Sequence, residues 1–144
     1  MGKRRKNNVL YGIPKNESLL KESVSGYERD IVKRSIQFSL RVIKLYRVLD
    51  KDAVGRIIGR QLLRSAMSIG ANIQEAQAGQ SRADFISKCS IARKEARESS
   101  YWLELIQESK ILPAPRLKDL RSEIEQIIRI LTSIILTSKQ NSGR

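Results

Sequence analysis

Two glutamates one helical turn apart, Glu95 and Glu98, are the side chains of this sequence best spaced to do chemistry. Carboxylates at this spacing lie on one face of a helix and can share Mg²⁺, a hard cation that prefers oxygen ligands. Mg²⁺-dependent nucleotide hydrolysis needs further carboxylates opposite the pair, and the sequence holds no second E-x-x-D pair. Because Lys94 and Arg97 lie beside the two glutamates, we favour an ion-paired structural role. We expect no catalytic residue, no metal site and no cofactor.

The composition excludes most other active sites. The chain has 144 residues, 28 Lys and Arg against 15 Asp and Glu, a formal net charge of +13, one Cys and no His. Without His there is no Ser-His-Asp triad and no imidazole base, and one Cys makes neither an intramolecular disulfide nor a usual zinc site. No apolar run is long enough to span a bilayer, and the basic N-terminus lacks a secretory apolar region. We expect a cytoplasmic protein whose charge favours acidic partners, with no membrane association.

Basic residues share helix faces at two places. Arg60 and Arg64 lie one turn apart, as do Arg93 and Arg97, which is the pattern of a phosphate-binding stripe. A solvated face, or ion pairs to Glu75 and Glu95 across the close contact of the second and third helices, would give the same pattern. We assign Arg64 to the structural side, since it neighbours the face of Ser65 and Asn72. The residues predicted to bind nucleic acid are Arg60, Arg82, Lys88, Arg93, Lys94 and Arg97, with the N-terminal cluster Lys3, Arg4, Arg5 and Lys6.

The elements that position these residues are predicted to be helices. Residues 1–26 carry six basic and two acidic residues with no sustained period and are expected to be a basic, flexible tail. Helix starts are predicted near Ser25, where Ser25-Gly26-Tyr27-Glu28 resembles a capping box, at Asp50 or Asp52, and at Ser81. Pro113 and Pro115 interrupt the chain before a fourth helix.

Apolar residues repeat in steps of three and four along all four helices. This period indicates nearly aligned packing, and the short connections make neighbouring helices antiparallel. We therefore predict an all-α, up-down-up-down four-helix bundle over residues 27–140. The seams are Ile31, Ser35, Phe38, Val42, Leu45 and Leu49; Ile58, Leu62, Ser65, Ile69, Asn72 and Ala76; Phe85, Cys89, Ala92, Ala96, Ser99, Leu103 and Ile106; and Leu117, Leu120, Ile124, Ile127, Leu131 and Ile134.

The second and third helices are rich in Ser, Ala and Gly, so we pair them at the closest contact. Ser65 and Asn72 are polar residues on the second seam, and such positions fix register or oligomeric state, or else form a ligand site. The wide apolar stripe of the fourth helix and Trp102 indicate more buried surface than one bundle supplies. We therefore expect a homo-oligomer.

Two sequence blocks resemble a known family. Gln61-Leu62-Leu63-Arg64-Ser65-Ala66-Met67-Ser68-Ile69-Gly70-Ala71-Asn72-Ile73-Gln74-Glu75-Ala76 is similar to the signature of the bacterial four helix bundle proteins, also called ribosomal RNA intervening-sequence proteins. Ser81-Arg82-Ala83-Asp84-Phe85-Ile86 and Ala92-Arg93-Lys94-Glu95-Ala96-Arg97-Glu98-Ser99-Ser100-Tyr101-Trp102-Leu103 resemble its second block. The resemblance covers residues 27–138.

The resemblance implies a four-helix bundle that assembles into a homopentameric ring, with no catalytic residues. The polar positions of the family fall here on Gln61, Arg64, Ser65, Ser68, Asn72, Glu75 and Glu95, which we take as a structural cluster. A more distant resemblance is to the accessory variability protein of diversity-generating retroelements, a basic pentameric barrel that binds nucleic acid and a reverse transcriptase.

We therefore expect a non-enzymatic, oligomeric bundle that binds RNA or DNA electrostatically. The first alternative is a protein-interaction scaffold, such as an accessory factor of a reverse transcriptase. The second is the Mg²⁺-dependent nucleotide hydrolase considered above. The low aromatic content argues against recognition of single strands by base stacking.

Overall fold

A computed structural model describes residues 9–10, 13–14 and 17–143, with side chains placed for residues 30–141 and 143. Four long helices make up nearly all of this part of the chain, which confirms the predicted all-α four-helix fold. The helices are α1 (Glu17–Leu49), α2 (Ala53–Gln77), α3 (Arg82–Glu108) and α4 (Ala114–Ser142). Two short antiparallel strands precede them, β1 (Val9–Leu10) and β2 (Ile13–Pro14).

The predicted start of the first helix near Ser25 is wrong. α1 already begins at Glu17, so the capping-box sequence from Ser25 to Glu28 lies inside the helix. Residues 17–22 are mostly Glu, Leu and Lys, which favour helix, and a glycine such as Gly26 costs only about 1 kcal/mol inside one. The expected boundary between tail and bundle, at residues 26 and 27, therefore falls within α1. The cluster Lys3, Arg4, Arg5 and Lys6 lies outside the described residues.

The other helix starts follow the predicted signals. The Asp52 carboxylate accepts a hydrogen bond from the backbone N–H of Gly55 at 2.7 Å, and the Ser81 hydroxyl accepts one from that of Asp84 at 3.1 Å. Each satisfies an N–H that has no partner within its helix. α4 begins directly after Pro113 and carries Pro115 in its first turn, where the missing N–H costs nothing.

Each helix packs chiefly against its two neighbours in the chain order, with α1 and α4 closing the bundle. α2 and α3 contact each other most extensively, which confirms the pairing predicted from their small residues. Contacts run in opposite directions along α2 and α3, where Ser65 meets Ser99 and Glu75 meets Lys88. They do so along α1 and α2 as well, where Ser39 contacts Ala66 and Tyr46 lies beside Gly59. The arrangement is therefore the predicted antiparallel, up-down-up-down bundle.

The predicted seams form the core with two departures. All six seam residues of α1 and of α4 are buried, and so are the α3 seam residues after Phe85, which is half-buried. On α2, Asn72 is half-buried and Ile73 takes the core position instead. The step from Ile69 is thus four residues rather than three, because α2 keeps the straight-helix period of 3.6 here.

Glycine lets α1 and α2 approach closely at their shared turn. A Cβ on Gly55 would lie 2.6 Å from the backbone oxygen of Leu49, and one on Gly59 would lie 3.0 Å from a ring carbon of Tyr46. The α1–α2 contact therefore depends on these two positions having no side chain. Over the described residues, no helix has an 18-residue stretch apolar enough to cross a membrane.

Candidate nucleic-acid interface

Arg64 connects α2 to both glutamates of the E-x-x-E pair on α3. Its guanidinium donates to a carboxylate oxygen of Glu98 and reaches Glu95 at 3.4 Å. The indole N–H of Trp102 donates to the same Glu98 oxygen at 3.1 Å. These donors lower the pKa of Glu98, mainly through Arg64, while partial burial opposes the shift. The two glutamates therefore accept hydrogen bonds from Arg64 of α2 and are not paired with the neighbouring Lys94 and Arg97.

The centre of the α2–α3 contact holds a buried hydroxyl pair. The side-chain oxygens of Ser65 and Ser99 lie 2.7 Å apart, and Ser65 also donates to the backbone oxygen of Leu62 at 3.1 Å. Both serines are fully buried. Each hydroxyl thus has a partner, so the pair joins the helices without leaving an unsatisfied polar group.

The remaining predicted cluster residues lie further out. Glu75 forms an ion pair with Lys88 at 2.6 Å, which engages a cation that we had predicted to bind nucleic acid. Asn72 donates to the backbone oxygen of Ser68, one turn earlier, at 2.8 Å. Gln61 is exposed at the surface of α2. Within the resemblance-based cluster, Arg64, Ser65 and Glu95 therefore join α2 to α3, and Glu75 does so through Lys88. Ser68 and Asn72 are half-buried on α2.

The predicted cations among the described residues lie on two adjacent helices, α2 and α3. Arg82, Lys94 and Arg97 are exposed on α3, and Arg93 is half-buried there. Arg60 lies on the outer surface of α2, where the Tyr46 hydroxyl of α1 raises the pKa of its guanidinium. Arg60 thus lies near α1, whereas the other predicted cations of the described chain lie on α3.

The sequence interpretation missed three exposed cations on α1, which are Lys33, Lys44 and Arg47. Their signal is present in the sequence, because residues 31–49 contain no Asp or Glu. By contrast, α3 carries five acidic residues beside its five basic ones. The paired arginines of α3 form a recognisable motif, but the acidic residues of the same helix offset their positive charge.

Most cations of the described side chains lack an acidic partner. Of the Lys and Arg side chains in residues 30–141, four form ion pairs: Arg34 with Asp30 and Glu123, Arg56 with Asp50, Arg64 with Glu95 and Glu98, and Lys88 with Glu75. Within the same part of the chain, no three His, Cys, Asp or Glu residues are grouped as a metal site would require. The surface is therefore suited to bind anions.

Comparisons with known proteins agree with this architecture. The family model described as 23S rRNA-intervening sequence protein matches residues 28–133. A crystal structure from Bacteroides thetaiotaomicron, of a protein with unknown function from the S23 ribosomal protein family, is 38% identical in sequence. It superposes with a TM-score of 0.72 and covers 76% of this chain and 97% of its own. No curated protein matches the sequence.

Proposed function

Because the chain belongs to the 23S rRNA-intervening sequence protein family, we propose that it is a non-enzymatic protein that binds nucleic acid, RNA or DNA. The observation that carries this proposal is the excess of surface cations without a carboxylate partner in residues 30–141. An unpaired cation gains more from a phosphate than one that must first leave an ion pair. The engagement of Glu95 and Glu98 by Arg64 supports a role without catalysis.

Binding of this kind is electrostatic. Lys and Arg side chains that contact phosphates release counterions from the nucleic acid, which supplies free energy without reading the base sequence. In the described part of the chain, the helices expose cations along their lengths rather than at one recognition helix. We therefore propose weak sequence dependence and strong salt dependence.

Sequencing of the nucleic acid that co-purifies with the protein at low salt tests this function. A reproducible RNA or DNA population, removed by washing at high salt, is the expected result. A preparation that carries no nucleic acid at low salt, and that does not bind an added duplex, would contradict the proposal.

We further propose that the protein assembles with copies of itself, as a homopentamer by the family resemblance. Support comes from large apolar side chains that are exposed on α2 and α3. Val54, Ile57 and Tyr101 are all more than half exposed; Val54 and Ile57 lie in the first turns of α2, and Tyr101 lies two residues after Ser99, which contacts Ser65 of α2. Trp102 is half-buried beside Tyr101, with ring centroids 4.9 Å apart. Large apolar side chains exposed on two adjacent helices favour a protein interface.

A protein-interaction scaffold, including an accessory factor of a reverse transcriptase, is the second candidate function. It is favoured by Ile36, Leu40 and Met67, which are exposed aliphatic side chains on adjacent helices. A pull-down after nuclease treatment separates the two functions. A partner that is lost with the nucleic acid supports the first, and one that is retained supports the second.

A further inference from the structure

Charge is distributed unevenly along the helices. Residues 31–49 of α1 and 53–74 of α2 contain eight Lys and Arg and no Asp or Glu. The acidic residues nearest to these two segments lie at their ends: Asp30, Asp50, Asp52 and Glu75. α3 has five residues of each sign, and α4 carries three acidic residues among its five basic ones. The two segments are therefore cationic between acidic ends, whereas α3 and α4 carry both signs along their lengths.

Four unpaired cations mark the outer side of these two segments, which we call the α1–α2 cationic face: Lys33, Lys44, Arg47 and Arg60. The three on α1 follow one another by 11 and 3 residues, close to whole turns of a helix, so they project on one side. Arg60 is exposed on α2, and its guanidinium lies beside the Tyr46 hydroxyl of α1, where the two helices adjoin. Within residues 30–141, none of the four has a carboxylate within ion-pair distance.

The size of the face fits a polymer of phosphates better than a single anion. Lys33 and Arg47 are about 21 Å apart along α1 at about 1.5 Å per residue. A duplex presents roughly twelve phosphates over that length, at one charge per about 1.7 Å of axis. Cations spread over such a distance can contact several phosphates of one duplex at once.

We propose that the α1–α2 cationic face is the site of phosphate contact and that its ligand is a nucleic-acid duplex rather than a single strand. This inference rests on the proposed function and replaces α3 as the principal binding surface. On α3, a bound phosphate would be repelled by Asp84, Glu104 and Glu108, which form no ion pair among the described residues. The two helix segments that form the α1–α2 cationic face contain no acidic side chain, and Asp50, which lies between them near Arg60, is already paired with Arg56.

The side chains between the cations favour a duplex. Ile36, Leu40 and Met67 are aliphatic, and Tyr46 is half-buried against α2. Single-strand binding draws much of its free energy from bases stacked on exposed aromatic rings. Among the described side chains, Tyr101 is the aromatic residue that is mostly exposed, and it lies on α3. The α1–α2 cationic face therefore offers charge without a stacking surface.

An acidic amphipathic helix of another protein is the rival occupant, because it would bring apolar surface as well as anions. A hollow of about 440 Å³ opens on this side, lined by Tyr46, Leu63 and Met67 together with Arg60. However, Ile36, Leu40 and Met67 are each only 47% exposed, so half of each side chain is already packed. The cations are the more available groups, which favours the duplex.

Two matched triple variants test the inference. The first, Lys44→Gln, Arg47→Gln and Arg60→Gln, removes three charges from the α1–α2 cationic face. The second, Arg93→Gln, Lys94→Gln and Arg97→Gln, removes three from α3. Fluorescence anisotropy measures the affinity of both variants and the wild type for a labelled 20-base-pair RNA duplex, and for one of its strands, at several salt concentrations. Circular dichroism melts check that both variants remain folded.

We expect the first variant to bind the duplex at least tenfold more weakly than the wild type. Its slope of log affinity against log salt should fall by about 2.7, since each lost phosphate contact removes about 0.9. The second variant should stay within threefold of the wild type, and the duplex should bind more tightly than the single strand.

Three results would overturn the inference while leaving the proposed function intact. The first is a loss of duplex affinity in the α3 variant that equals or exceeds the loss in the α1–α2 variant. The second is a duplex affinity of the α1–α2 variant that equals that of the wild type. The third is tighter binding of the wild type to the single strand than to the duplex. The second result is the one that the acidic-helix occupant predicts. A wild-type protein that binds neither nucleic acid would instead contradict the proposed function itself, and the inference with it.

Discussion

Arg64 of α2 and Glu98 of α3 meet across the most extensive helix contact of the bundle, and the Glu98 oxygen that Arg64 contacts also accepts the indole N–H of Trp102. The Glu98 carboxylate thus connects Arg64 of α2 with Trp102 of its own helix, α3. The E-x-x-E pair that could have held a divalent cation instead holds a guanidinium. Two predictions follow from this geometry.

The first concerns the pH dependence of folding stability. The pKa of Glu98 is lowered in the folded protein, so the ionised form stabilises the fold at pH values above the ordinary glutamate pKa of about 4.3. That contribution is lost as pH falls through the lowered pKa. We expect Glu98→Gln to cost up to about 1 kcal/mol at pH 7, because Arg64 is half exposed, and to cost nothing below the folded pKa of Glu98.

Urea unfolding at several pH values measures this difference. Glu104→Gln is the matched control, since Glu104 is exposed and has no ion pair among the described residues. Its effect should be small at every pH. A cost of Glu98→Gln that persists at low pH would show that the carboxylate charge is not the stabilising feature.

The second prediction is the absence of Mg²⁺-dependent nucleotide hydrolysis. Glu95 and Glu98 share Arg64, and a cation bound between them would have to displace it. We expect the purified protein to release no product from nucleoside triphosphates in the presence of Mg²⁺. Turnover that disappears in Glu95→Gln would contradict the non-enzymatic assignment.

The sequence was sufficient to predict the four helices, their antiparallel order and nearly all the core. The regular spacing of apolar residues determines which side of each helix is buried. The helix starts at Asp52, Ser81 and Pro113 depend only on residues next to them in the chain, so they can be read from the sequence. Ile73, rather than the predicted Asn72, is the core residue of α2 at this point. A strict alternation of three- and four-residue steps rotates gradually around a straight helix, so the buried position shifts by one residue. The start of α1 was missed because the capping-box pattern at Ser25 also occurs inside a helix.

The candidate site was harder to predict because it depends on register between helices. Lys94 and Arg97 are sequence neighbours of Glu95 and Glu98, yet residues one apart on a helix project about 100° from each other. The actual partner, Arg64, lies on another helix, and only the α2–α3 register brings it there. The cations of α1 were overlooked because their signal is a lack of acidic residues rather than a motif.

The third prediction concerns the close approach of α1 and α2. Replacing Gly55 with Ala should favour helix by about 1 kcal/mol, but its Cβ would lie 2.6 Å from the Leu49 backbone oxygen. The Leu49 backbone oxygen cannot rotate away from this Cβ as a side chain could. We therefore expect Gly55→Ala to lower the free energy of unfolding by about 1–3 kcal/mol. Gly70→Ala is the control, since its Cβ would lie 3.2 Å from the Ser35 side-chain oxygen, which can move. We expect this variant to lose less stability than Gly55→Ala. Equal or greater stability of Gly55→Ala in chemical denaturation would refute the close contact.

The fourth prediction concerns self-association. Light scattering of the wild type at micromolar concentration should give a mass well above 16.4 kDa, and five times that value for the proposed pentamer. Ile57→Asp places a charge among the exposed apolar side chains in the first turns of α2 and should lower the mass. Ile91→Asp is the control, because Ile91 is an exposed aliphatic residue on α3 that is not part of the proposed interface. A wild-type mass of 16.4 kDa would rule out the assembly.

The central claim is that this basic bundle binds nucleic acid through phosphate contacts, and its salt dependence is the most direct test. The affinity of the wild-type protein for a 20-base-pair RNA duplex is measured by anisotropy between 50 and 200 mM salt. If about six phosphates are contacted, the affinity should fall by roughly a thousandfold across this range. No measurable binding at 50 mM, or an affinity that does not change with salt, would contradict the claim.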